Sequence, residues 1–225
     1  MKKIVTVITS LTLLAALGGC KPSASGWKSY SGDKTIEQRV DSVLNLMTLE
    51  EKIGQMAQFS CNWDVTGPIM ADDFEPYLRK GLVGSIFNAY TVDGVRKLQE
   101  MALAESRLKI PVLFGYDVIH GFRTIFPMPL AEASSWDLEL MRKSAAIAAE
   151  EASAEGIHWT FAPMVDIARD ARWGRVMEGA GEDPYLGSLI AKARVEGFQG
   201  GKDWQSLQDL HTVLACCKHF AAYGA

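Results

Sequence analysis

The chain has 225 residues, is 48% hydrophobic and 22% charged, and carries a formal net charge of −4. Those proportions exclude a disordered, collagen-like or coiled-coil chain, and the length is ample for a buried core. With 23 Lys and Arg against 27 Asp and Glu, no basic excess marks a nucleic-acid partner.

Lys2 and Lys3 precede an apolar run from Ile4 to Leu17, which ends in Leu17-Gly18-Gly19-Cys20. A basic start, an apolar stretch too short to span a bilayer comfortably and a small-residue cleavage site read as a secretory signal. The segment resembles a bacterial lipoprotein signal, in which the cysteine is lipidated and becomes the mature N-terminus. Residues 1–19 are therefore expected to be the signal and 20–30 a tether, with one folded unit over 31–225. Export to the periplasm or outer membrane follows, with Cys20 as the lipid anchor to the membrane. Cys61, Cys216 and Cys217 then remain, an odd number that excludes a disulfide scaffold. Cys216 and Cys217 end an apolar strand-like run, where neighbours point to opposite faces, so two buried thiols are expected. No Cys-x-x-Cys or His-x-x-x-His spacing supports zinc, and a site built from Asp117, His120, His158 and His219 lacks ligand spacing. No metal or cofactor is expected.

Apolar residues at Ile36, Val40, Val43, Leu44 and Met47 predict a helix from Thr35 to Met47. Thr48-Leu49-Glu50-Glu51 is a capping box that starts the next one. A strand at Leu82–Phe87 is followed by an amphipathic helix from Thr91 to Leu108, then by a strand at Ile110–Tyr116. Asp137 to Glu155 is an Ala-rich helix that Gly156 can stop. A strand at His158–Phe161, a helix at Pro184–Gln199 and a strand at Val213–Cys217 complete the series. Alternating strands and helices imply crossover units and a parallel sheet. Polar residues follow several different strands, which suits the C-terminal mouth of a TIM-type (β/α)8 barrel better than one crevice of an open sheet. No dinucleotide or P-loop fingerprint occurs. Four or five strand-helix units against the eight of a barrel predict an α/β fold that is the incomplete N-terminal part of such a barrel.

Four segments carry chemistry. Asp117 and Arg123 lie in Gly115-Tyr116-Asp117-Val118-Ile119-His120-Gly121-Phe122-Arg123, which leaves a strand end. Asp166 to Arg175 places three arginines and two aspartates around Trp173, a composition suited to a polyhydroxylated ligand. Within it, Arg169, Arg172 and Asp170 read better as an ion-pair network bracing the loop. Glu178 to Pro184 reads as scaffolding, a turn into a helix with acids at the favourable dipole end. Lys218-His219-Phe220 directly follows a strand and supplies donors.

Together with Met47 to Met56, these tracts resemble glycoside hydrolase family 3, the exo-acting β-glucosidases and β-xylosidases. The match is densest with periplasmic β-glucosidases of Gram-negative bacteria. The resemblance implies that Asp117, Arg175, Lys218 and His219 bind hydroxyls of the non-reducing sugar, with Arg123 in the same shell. It also implies cis peptides at Lys218-His219 and His219-Phe220. Ala221-Ala222-Tyr223-Gly224 after that motif favours the glucosidase and xylosidase branch over the N-acetylglucosaminidases. The implied reaction is retaining hydrolysis of terminal non-reducing β-D-glucosyl residues, acting on a β-linked oligosaccharide or aryl glycoside. That chemistry needs a nucleophile and an acid/base carboxylate about 5 Å apart. In the family both follow the Lys-His-Phe motif, so no catalytic residue is expected in this chain, which should be inactive and poorly soluble alone. A non-catalytic, lipid-anchored sugar-binding protein and a β-xylosidase are the alternatives.

Overall fold

The computed structural model describes residues 34–61, 73–220 and 223–224. Cys20, the signal and the tether lie outside them. The chain divides between Arg39 and Val40, and before that point the described residues are the opening of helix α1 (Lys34–Leu46).

Five strands form one parallel sheet in the order β1 to β5: Gln58–Ser60, Ser85–Phe87, Leu113–Tyr116, Trp159–Thr160 and Leu214–Ala215. Sequential order with parallel pairing is a singly wound wall, whereas a doubly wound sheet reverses its order part-way. Helix α2 (Leu49–Gln55) precedes β1, and the helices between strands are α3 (Glu75–Arg79), α4 (Val92–Glu105), α5 (Pro129–Ala133), α6 (Leu138–Ala154) and α7 (Pro184–Phe198).

Local chemistry sets the helix starts. Thr48 Oγ1 accepts from the Glu51 amide at 3.2 Å, and Glu51 Oε2 accepts from the Thr48 amide at 2.8 Å. Each side chain thereby satisfies a backbone donor that the first turn leaves open. Asp137 caps α6 through the Leu140 amide at 2.9 Å. Asp183 caps α7 through the Tyr185 and Leu186 amides, ahead of Pro184. Gly156, at φ +87°, ends the turn after α6 in a conformation that side chains disfavour.

Two apolar clusters cover the sheet. Val83, Ile86, Val95, Leu98, Met101 and Phe114 join β2 and β3 to α4. Ala145, Ala148, Ala149, Ala152, Phe198 and Val213 join α6 and α7 to the β4–β5 half. Alanines let the two helices approach closely, and Gly197 sits where a Cβ would lie 2.3 Å from the Arg142 carbonyl oxygen.

The strands are shorter than their apolar runs suggest, and β1, α3 and α5 arise from tracts without a long periodic pattern. Helix α1 forms where its spacing predicts, yet Val40, Val43 and Leu44 are exposed. The expectation of two buried thiols at Cys216 and Cys217 is corrected. Cys216 is half-buried and Cys217 exposed, while Cys61 is buried. Strand β5 ends at Ala215 on the sheet edge, so both residues fall in the segment after it.

Candidate functional site

The polar residues gather where the chain leaves β3, β4 and β5. Asp117 directly follows β3. Beyond β5, the Cys216 amide donates to the Ala162 carbonyl, the Lys218 amide to Pro163, and the Val165 amide to Lys218. This continued parallel pairing draws Lys218 and His219 alongside the segment that follows β4. Among the described residues the cis peptides are Ala162–Pro163 and Lys218–His219, so of the two cis bonds that the family resemblance implies only Lys218–His219 is found, and the Phe220 ring is fully exposed.

Lys218 Nζ donates to Asp117 Oδ1 at 3.1 Å, linking residues 101 positions apart. Asp166, with its side chain 4% exposed, accepts on Oδ2 from both the His219 amide at 3.1 Å and His219 Nδ1 at 2.8 Å. On the other side of the ring, Arg175 Nη1 lies 3.3 Å from His219 Nε2. A guanidinium is only a donor, so Nε2 must accept, which assigns the proton to Nδ1 facing Asp166. Arg175 is itself gripped by Glu178 through Nε at 2.6 Å and Nη2 at 2.7 Å. That fork raises the Arg175 pKa further above its ordinary value, chiefly by the Glu178 hydrogen bonds. The same hydrogen bonds hold the Glu178 carboxyl below the usual carboxylate range against the effect of burial, with Lys218 adding to the pull. The Tyr223 ring closes this side, 4.5 Å from the His219 ring and 5.5 Å from the Arg175 guanidinium carbon.

Asp117, Lys218, His219 and Arg175 are thus joined into one constellation, through Asp117–Lys218 and through the shared His219. Arg123 is farther along the first loop. Its guanidinium pairs with Glu155 and stacks on Phe122, and it lines a cavity of about 340 Å³ with Tyr90, Tyr116, Asp117 and His120. His158 sits just before β4, at the opposite strand end from Asp117 and His219, so the metal set considered above cannot converge. Arg172 pairs with Asp170 at the surface, and Arg169 is exposed.

Sequence reading left two participants without a role. Asp166 lies in the segment that follows β4, six residues beyond the strand end, and its partner His219 is 53 residues away. Glu178 lies in a tract whose composition suits scaffolding, and it is the residue that fixes Arg175. Each carboxylate of the constellation already has a partner, Asp117 on Lys218, Asp166 on His219 and Glu178 on Arg175. Cationic and carboxylate groups so arranged can give charge-assisted hydrogen bonds to hydroxyls.

The sequence matches the Glycosyl hydrolase family 3 N terminal domain over residues 48–225. The chain belongs to glycosyl hydrolase family 3. It is 44% identical over 186 residues to the periplasmic β-glucosidase of Salmonella typhimurium, covering 83% of this chain and 23% of that protein. A β-xylosidase of Formosa agariphila is 32% identical over 203 residues, covering 86% of this chain and 22% of that protein. Among solved structures, a β-glucosidase from Listeria innocua in complex with isofagomine superposes with a TM-score of 0.76 at 44% identity, covering 84% of this chain and 26% of that one. The chain therefore spans about a quarter of the length of these relatives. As a family 3 chain, its five-stranded parallel wall is part of a TIM-barrel-like α/β fold.

Proposed function

We propose that the protein carrying this chain hydrolyses terminal non-reducing β-D-glucosyl residues, and that this chain supplies the subsite that holds the sugar. Asp117 accepts from vicinal hydroxyls through its remaining lone pairs. Lys218, His219 and Arg175 supply the complementary donors and acceptor, and Arg123 stands at the outer wall. The observation that carries this reading is the continuous Asp117–Lys218 and Asp166–His219–Arg175–Glu178 network at three successive strand ends. Within it, Asp166 and Glu178 orient the binding groups, and we assign none of the three carboxylates as nucleophile or acid/base.

The test is release of p-nitrophenol from its β-glucoside by the protein, with Asp117→Asn as the probe of the subsite. The reading requires β-glucoside turnover that falls at least about 100-fold in D117N, in line with loss of a charge-assisted contact made in the transition state. Faster turnover of the β-xyloside would move the protein to xylosidase specificity, and unchanged turnover in D117N would remove Asp117 from the subsite.

We also propose that residues 1–19 are an export signal and 20–30 a tether, with Cys20 lipidated at the periplasmic membrane face. The lipoprotein-type motif and the periplasmic name of the Salmonella relative support this. Labelled fatty acid should enter the protein and be lost in Cys20→Ser; equal labelling of both would exclude Cys20 as the anchor.

A further inference from the structure

Helix α7 presents Ile190, Ala193, Gly197 and Phe198 to the interior, and among them the whole Arg194 side chain is buried, at 5% exposure. A buried ion pair contributes little to stability over an apolar replacement, so its retention calls for another account. Arg194 Nη1 donates to Glu132 Oε2 at 2.5 Å, and Glu132 is equally buried. The guanidinium also lies 5.8 Å from the Phe198 ring centre. Burial lowers the Arg194 pKa from its ordinary value, against the pull of Glu132. The second arm, Nη2, donates to the carbonyl oxygen of Ile119, two residues after Asp117. The neighbouring Val118 amide donates to Thr160 Oγ1 at 3.1 Å. The far end of the same loop is held by Glu151, which accepts from the Arg123 and Thr124 amides at 2.8 Å.

We infer that Arg194 is a positioning residue, which fixes the first turn after β3 and through it the place of the Asp117 carboxylate opposite Lys218. The role rests on the sugar-subsite reading above. The planar fork matters here: one arm is anchored on Glu132 while the other reaches the backbone, a division that a single ammonium nitrogen cannot make. Charge compensation alone requires only the first arm.

Arg194→Lys separates the two roles, since it keeps the positive charge beside Glu132 and gives up the fork. Glu132→Gln is the converse control, retaining an acceptor for Nη1 and leaving Arg194 to hold Ile119. Isofagomine binding by calorimetry and thermal melting are measured on the protein and both variants. The expected result is a folded R194K that binds about tenfold more weakly, with E132Q within about twofold of the unchanged protein. R194K binding as tightly as the parent overturns the role. If R194K fails to fold, the apolar pair Arg194→Met with Glu132→Leu takes its place, again with weaker binding expected and unchanged binding refuting the role. Absence of isofagomine binding by the parent protein would instead refute the subsite reading, and this role with it.

Discussion

The contact between Lys218 and Asp117 is the one that closes the constellation across the sheet, and a double-mutant cycle measures it. At 3.1 Å, two unit charges attract by about 5 kcal/mol at an effective dielectric constant of 20. Much of that is offset by desolvation, because the side chains retain only 13% and 30% of their exposure. The pair lies between surface pairs, worth about 0–1 kcal/mol, and buried ones, whose disruption costs about 3–5 kcal/mol. A coupling of about 1.5–2 kcal/mol is therefore expected between Asp117→Asn and Lys218→Met, read from urea unfolding of the parent, both single variants and the double. In sugar binding each single variant should lose about tenfold or more, since each removes one charge-assisted contact and releases its partner from position. The double variant should lose less than the product of the two. Additivity within about 0.5 kcal/mol in stability, with sugar affinity unchanged in the single variants, would refute the reasoning.

Other consequences are equally direct. Glu178 ionises below its ordinary value of 4.5 because Arg175 stabilises the carboxylate, so its contribution to stability is present above that pH and is lost as pH falls through the depressed folded value. Sugar binding should therefore stay level in this respect from pH 7 to about 5, with Glu178→Gln weakening it at every pH; a Glu178→Gln protein that binds like the parent at pH 7 would exclude Glu178 from holding Arg175. Gly197→Ala would put a Cβ 2.3 Å from the Arg142 carbonyl oxygen and 2.8 Å from the Ala145 Cβ, forcing α6 and α7 apart at about 2–3 kcal/mol. Its denaturation midpoint should fall, and an unchanged midpoint would contradict the close helix approach. Thr48→Ala removes one half of the capping box and should cost about 1 kcal/mol, measured the same way.

How far the sequence reveals such a site depends on how local its cause is. The capping box of Thr48 and Glu51 is three residues long, and it forms as read. Helices α4, α6 and α7 follow from long periodic tracts with a Thr or Asp cap, and their ends fall within a few residues of expectation. Strands β4 and β5 are only two residues each, and beyond them their apolar runs continue in looser parallel contact, with the Lys218 amide on Pro163 and the Val165 amide on Lys218, where the site is built. Asp117, Lys218 and His219 are visible as polar residues after strands, yet the pairing of Lys218 with Asp117 across 101 residues depends on the barrel wall bringing β3 and β5 to either side of β4. Arg194 is the least legible. It interrupts an apolar helix face, where a long basic side chain would ordinarily reach out to water, and only the position of Glu132 and the Ile119 carbonyl explains why it turns inward.

A crystal structure of the protein with glucose bound tests the central claim most directly. The account predicts the sugar ring at the ends of β3, β4 and β5, with hydroxyls within about 3 Å of Asp117, Lys218, His219 and Arg175. Glucose seated elsewhere, with those four side chains free of contact to it, would contradict the account.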